Sequence, residues 1–320
     1  MSESTKLKIG LDPEFFLYKD GKPISAHDIV PGTKAKPYKL PNCHIQADGT
    51  AVEFNTIPAS TADEFVEHLR AALNDIRKII PKEYDFKYIP SVQYPKDYFA
   101  ALPRSARDIG CEPDFSAHNL GQINSRPKSP DWLAAVLRTG AAHIHVGWGE
   151  GLDIKSQGHK WDCIVLVNNL YNAFNSFIPI WDKDVQRRNM YGGRGSYRPK
   201  TYGVEYRELS NAWLRYPELW PWVFNTVKAT FDKTIEGKML VSPRRDYYYP
   251  WETFTTPPSK EIYEQQTRYS YGYPSGYIPI QGVWRKRGEV TDLEQLVFMN
   301  NSLRETGMPE FPTNFTYKEA

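Results

Sequence analysis

The chain has 320 residues, long enough for one large domain or two small ones with a substantial core, and its net charge is only +2. That balance argues against a general nucleic-acid binder while leaving room for a local basic patch. The first ten residues lack a hydrophobic signal core, no apolar run approaches a bilayer span, and Cys43, Cys111 and Cys163 are too scattered for a disulfide framework or a cysteine zinc site. The expectation is a soluble, cytoplasmic protein with no membrane or nucleic-acid partner.

Leu7 to Tyr18 alternates and then reads GLDPEFFLY, so Asp12 and Glu14 share one strand face. Pro13 lacks a donor, which predicts an edge or bulged strand. An isolated D-x-E is commonly a solvated pair, yet Phe15, Phe16 and Leu17 argue against full exposure. His44 to Thr56 carries Asp48-Gly49 between two alternating runs and predicts a two-residue hairpin. Centring the turn on Asp48-Gly49 places Gln46 opposite Ala51 and His44 opposite Glu53. Asp48 is explained by turn chemistry, whereas Glu53 sits between Val52 and Phe54 in a strand over a core.

Thr61 to Ile80 reads as a helix, with Thr61 and Glu64 as a capping box, a stripe through Phe65, Leu69, Leu73, Ile76 and Ile80, and Pro81 as its stop. Tyr84 to Val92 reads as a strand and Asp97 to Leu102 as a helical turn. Gly110 to Phe115, GCEPDF, echoes Gly10 to Phe15, so Glu112 and Asp114 are candidate acids. Cys111 beside them is more simply a small buried hydrophobe than a nucleophile.

Asp131 to Arg138 is predicted helical. Ala141 to Gly147, AAHIHVG, is a strand with His143 and His145 on one face, a spacing that suits two metal ligands or a ligand and a phosphate donor, as well as one buried and one exposed histidine. An amphipathic helix follows at Trp161 to Phe177.

Tyr191 to Asn211, YGGRGSYRPKTYGVEYRELSN, concentrates charge. Its glycines make a loop carrying Arg194 and Arg198, and Val204-Glu205-Tyr206-Arg207 is a strand with Glu205 and Arg207 on one face. Guanidinium forks beside a carboxylate-bound cation suit a polyanion such as phosphate, although a solvated loop beside a surface ion pair fits the same stretch. Helices are predicted over Pro217 to Ile235 and Thr291 to Arg304. The Tyr-rich run Tyr269 to Tyr277, with Tyr247 to Tyr249 and Trp251, reads as ordered loop.

Taken in order, D-x-E, a hairpin glutamate, H-x-H-V-G, an arginine loop and V-E-Y-R resemble the carboxylate-amine (COOH-NH2) ligases, the phage-type branch of the glutamine synthetase and glutamate-cysteine ligase superfamily. The resemblance runs from about Gly10 to Asn211. It implies an α+β fold like the glutamine synthetase catalytic domain, a curved antiparallel sheet with helices packed on its outer face. It also implies a catalytic domain over residues 1–240 that binds ATP and Mg2+ or Mn2+, with 241–320 as an aromatic-rich extension packed on it.

Carried over residue by residue, Glu14 and Glu53 resemble ligands of the metal nearer the substrate. Asp12, His143 and Glu205 resemble ligands of the metal nearer the nucleotide. Arg194, Arg198 and Arg207 resemble the arginines around the transferred phosphoryl group, and Glu53 joins them as a catalytic candidate. Arg198, Arg207 and His145 are the candidates for contacting ATP. Asp12 departs from the glutamate common at its position, and the further cluster acid is open among Asp48, Glu112 and Asp114. The general base is open between Glu112 and Asp114.

The implied reaction joins a small-molecule or peptide carboxylate to an amine through an acyl phosphate, in a possible homo-oligomer. The rivals are a phosphotransferase of the guanidino-kinase type, a metal-dependent hydrolase using His143, His145 and an acid, and a non-catalytic binding protein.

Overall fold

The computed structural model describes residues 7–107, 114–124, 136–184, 187, 191–240, 277–280, 283–286 and 292–318. Glu112, Cys111 and most of the aromatic run after residue 240 lie outside the described residues. In chain order the strands are β1 (Lys8–Lys19), β2 (Lys22–Ile24), β3 (Gly32–Thr33), β4 (Lys36–Lys39), β5 (Cys43–Asp48), β6 (Ala51–Thr56), β7 (Asp85–Lys87), β8 (Ser91–Gln93), β9 (Phe115–Ser116) and β10 (Gln122–Ile123). They continue with β11 (Leu137–Thr139), β12 (Ala142–Gly147), β13 (Ser196–Lys200), β14 (Gly203–Tyr206), β15 (Tyr277–Ile280) and β16 (Val283–Lys286). The helices among the described residues are α1 (Ala62–Ile79), α2 (Lys96–Ala101), α3 (Arg104–Arg107), α4 (Gln157–Phe174), α5 (Ile178–Trp181), α6 (Leu219–Ile235) and α7 (Asp292–Glu305), with a 3-10 turn at Asn211–Arg215.

The class is α+β. Among the described residues, twelve strands make one sheet in the order β10-β9-β13-β14-β12-β1-β6-β5-β3-β4, with β2 and β7 also paired to β1. All its ladders are antiparallel except β3 with β5. Alternation sorts the strands into two faces. Ile9, Leu11, Phe15, Val52, Phe54, Ile144, Val146, Val204 and Tyr206 are buried in the main core together with Phe65 and Leu69 of α1, Leu170 and Phe174 of α4, and Val227 and Phe231 of α6. Phe174 stacks on Tyr206, and Phe65 meets Phe224. The three long helices therefore cover one face, with α6 touching both α1 and α4. Met299, Leu303, Met308 and Phe311 join the same core, Phe311 stacking on Trp181 and Phe177. A second, smaller core of Phe16, Ala51, Val92, Tyr94, Phe99 and Val136 lies at the β1–β6 end of the opposite face.

Local signals explain the frame. Thr61 caps α1 by accepting from Glu64 N at 3.2 Å, and the Glu64 carboxylate accepts from Ser60 N at 2.8 Å, a capping box reaching one residue further back than Thr61-Glu64 alone predicts. Ser156 caps α4, which begins at Gln157 rather than Trp161. Leu137 and Arg138 belong to strand β11, paired with β8, and not to a helix, and the expected strand over Tyr84 to Val92 is split into β7 and β8.

Two register expectations are corrected. β1 lies in the middle of the sheet between β12 and β6, not at an edge. Its ladder to β6 is broken between the Ile9–Ala59 bridge and the Glu14–Glu53 pair, where Leu11 N turns to Thr56 Oγ1 at 3.0 Å, so Pro13 lacks a donor where the ladder asks for none. In the hairpin, Asp48 pairs with Ala51 and the loop residues are Gly49-Thr50. Gly49 has φ +58 while neither Asp48 nor Thr50 has positive φ, so the turn is of the II′ kind, which needs only its first central residue in the left-handed region. The register moves accordingly: Glu53 faces Gln46, and His44, exposed, faces Asn55.

Candidate functional site on the open face of the sheet

The face turned away from the long helices carries the charges. Register lines them up across five strands. Glu53 of β6 faces Glu14 of β1, Asp12 of β1 faces His143 of β12, and His145 of β12 faces Glu205 of β14, which in turn faces Arg198 of β13. Arg207 continues β14 by two residues from Glu205 and so shares its face.

At the centre, Asp12 Oδ1 lies 3.2 Å from His143 Nδ1 and Oδ2 lies 3.1 Å from His145 Nε2. Glu205, 1% exposed at its side chain, has Oε1 3.5 Å from His143 Nδ1 and bonded to Arg207, with Arg198 at 3.8 Å, while Oε2 lies 2.6 Å from Lys200 Nζ. One ligand atom from each of Asp12, His145 and Glu205 falls within 4.8 Å of the others, a spacing that can hold a metal ion. His143 touches two members of that triad through Nδ1, while its Nε2 is buried with no hydrogen-bond partner. Burial alone would raise the Asp12 carboxyl, but His145 and His143 overcome it and hold it well below the usual range. Burial, reinforced by Arg207, pushes the His143 imidazole down to about 3, so it is neutral at pH 7.

The acidic end has the opposite character. Burial, then Glu53 and Asp48, raises Glu14 well above an ordinary glutamate, although Ala141 N donates to its Oε2 at 2.9 Å. Burial, then Asp12 and Asp48, pushes Glu53 to about 7 against a 2.6 Å hydrogen bond from Gln46. Two carboxyls facing each other across a ladder cannot both ionise cheaply without a cation between them.

At the cationic end Arg207 is held from three sides: on Glu205, on the Tyr191 hydroxyl through Nη2, and by Asp114 Oδ2 at 3.6 Å from Nε. Asn124 fixes Asp114 through a 3.2 Å hydrogen bond to Oδ1. Arg194 is exposed on its loop, and its charge bears on His118 and Glu208.

Several partners were not read from the sequence. Lys200 follows Arg198 by two and so shares its face, a signal the R-x-K spacing contained. Tyr202 closes on His145 Nδ1 through its hydroxyl. Arg187, fully buried, donates Nε to Gly140 O at 3.1 Å, Nη1 to Glu208 O at 2.8 Å and Nη2 to Leu209 O at 3.1 Å, tying the entry of β12 to the exit of β14. Gly192, at φ +65, lets the arginine loop pass there: a Cβ on it would meet Arg187 Nη2 at 2.8 Å.

No protein-family model matches the chain, and no curated protein matches it. Among solved structures it is similar to a bifunctional glutathione synthetase from Pasteurella multocida, with a TM-score of 0.34 and 10% identity over 76% of this chain and 42% of that one. The chain thus spans less than half of that protein's length, and at this distance neither fold nor activity transfers. No helix among the described residues is long and apolar enough to cross a membrane.

Proposed function

We propose that the chain is an ATP-dependent carboxylate-amine ligase, built on a glutamine synthetase-like sheet, that makes an amide through an acyl phosphate. The observation that supports this reading best is the charge gradient along one sheet face: paired glutamates at one end, the Asp12–His145–Glu205 triad in the middle, and Arg207, Arg198 and Lys200 at the other. A polyphosphate carrying divalent cations has the complementary pattern. The donor set fits such cations. Asp12 Oδ1, His145 Nε2 and His143 Nε2 are buried without a hydrogen bond of proper geometry, and Tyr202 on His145 Nδ1 leaves Nε2 to face the triad.

In this reading Asp12, His145, Glu205, Glu14 and Glu53 hold Mg2+ or Mn2+, with His143 alongside, and the metal supplies charge neutralisation on the phosphates. Arg207 and Arg198 bind the oxygens of the transferred phosphoryl group, on which charge builds during transfer. The carboxylate oxygen attacks the γ-phosphorus of ATP as the bond to ADP breaks. The amine then displaces phosphate from the acyl carbon and loses a proton. In this reading Asp114, ion-paired with Arg207 Nε at 3.6 Å, accepts that proton. Substrates are small-molecule or peptide carboxylates and amines.

The test is ADP formation with ATP and Mg2+, with and without pooled amino acids and amines. ADP should appear only with the pool, mass spectrometry should find a new amide, and Glu14→Gln or Arg207→Ala should each cost on the order of a hundredfold. A phosphorylated product without an amide would make the chain a phosphotransferase, and turnover without ATP a hydrolase.

A further inference from the structure

Glu205 is crowded with cations. Its Oε1 is taken by Arg207, and its Oε2 lies 2.6 Å from Lys200 Nζ. A metal bound by the Asp12–His145–Glu205 triad must therefore share Glu205 with a side-chain cation or displace one.

Arg198 stands off at 3.8 Å, and the two cations in hydrogen-bonding reach of Glu205 differ in how readily they can leave. Arg207 is buried, with side-chain exposure of 3%, and is fixed by Tyr191 and Asp114 as well as Glu205. Lys200 sits at the last position of β13 with its side chain 32% exposed. Its cross-strand partner is Gly203, two residues before Glu205 on β14, so the lysine reaches Glu205 diagonally across the ladder. A lysine ammonium is a compact charge on four rotatable carbons, and it can swing where a planar, triply held guanidinium cannot.

Resting on the ligase reading, we propose that Lys200 is the exchangeable counter-ion of this site. Its ammonium holds Glu205 until a divalent cation arrives with its anionic ligand, then turns to the ligand's phosphate oxygens. The lysine thus serves the empty site as a stand-in for the metal and the filled site as a fourth phosphate contact beside Arg198, Arg207 and the metal.

The experiment is Mn2+ titration of the full chain by electron paramagnetic resonance, without nucleotide, for wild type, Lys200→Met and Lys22→Met. Lys22, on β2, controls for loss of one positive charge. Circular dichroism melting confirms that each variant is folded. Lys200→Met should bind Mn2+ about three- to tenfold tighter than wild type, the worth of a partly exposed charge-assisted contact, with Lys22→Met unchanged. With Mg2+ saturating, Lys200→Met should bind a non-hydrolysable ATP analogue weaker by a similar factor.

Equal or weaker Mn2+ binding by a folded Lys200→Met overturns the counter-ion role even if wild type proves to be a ligase. Mn2+ bound by the variant and never by wild type makes the lysine a permanent occupant and overturns the exchange. Tighter metal binding with unchanged nucleotide affinity supports the counter-ion and overturns the phosphate contact. Absence of Mn2+ binding in all three proteins overturns both this inference and the metal-dependent reading beneath it.

Discussion

Arg187 offers a direct test of how the site is held. Its three guanidinium bonds, at 2.8 to 3.1 Å, go to carbonyls that close the start of β12 and the end of β14, the strands bearing His143, Glu205 and Arg207. Replacing it by alanine removes all three bonds, although Leu209 O still accepts from Ala142 N at 3.2 Å and Gly140 O from Asn211 N at 3.4 Å, so Glu208 O suffers most. At about 1–1.5 kcal/mol each, the lost bonds cost roughly 3–5 kcal/mol, and the cavity left by a long side chain adds to this. Relief of a buried charge offsets part of it. Arg187→Met refills most of the volume while restoring no hydrogen bond, and Arg187→Lys restores one or two. Guanidinium chloride unfolding should therefore rank wild type above Lys, Lys above Met and Met above Ala, with Ala at least about 3 kcal/mol below wild type and a common m value. Ala and Met both within about 1 kcal/mol of wild type would refute the idea that these three bonds brace the sheet.

Three further outcomes are expected. Burial pushes the Glu208 carboxyl up to about 7 despite bonds from Gly195 N and the Tyr206 hydroxyl. An acid raised on folding stabilises most when protonated, so its contribution of roughly 3 kcal/mol is lost as pH rises from 4.5 through 7, and Glu208→Gln should remove that share of the slope while the shares of Glu14 and Glu53 persist. The same logic applied to Glu14 and Glu53 predicts that Mn2+ binding at pH 6.5 expels protons, seen by calorimetry in buffers of different ionisation enthalpy; heats independent of buffer would remove these glutamates from the ligand set. Gly192→Ala meets both a left-handed backbone and the Arg187 guanidinium, so it should lower the melting temperature and kcat together, whereas Gly158→Ala, with open space around it, should change neither.

Much of the arrangement was legible because strand alternation is a strong local code. D-x-E, H-x-H and V-E-Y-R each declare a shared face, and the sheet needed only to align them. Their registers were harder, because pairing depends on backbone conformation at one residue: Gly49 in first rather than second place in its turn exchanges His44 for Gln46 opposite Glu53. Pro13 misled for a related reason, since a missing donor is harmless wherever a central ladder is already interrupted. Arg187 and Tyr202 act on carbonyls and rings far along the chain, which no spacing rule reveals. Lys200 was visible as a neighbour of Arg198 but not as a partner of Glu205, because diagonal contacts require the register first.

The measurement that bears most directly on the central claim is calorimetric binding of a non-hydrolysable ATP analogue, because it requires no knowledge of the carboxylate or the amine. Saturable binding that needs Mg2+ or Mn2+, and that weakens about tenfold or more in Arg207→Ala and Asp12→Asn, is the predicted result. A folded wild-type protein that fails to bind the analogue, or binds it equally well without divalent cation and without Arg207, would contradict the assignment of this sheet face to a metal-nucleotide site.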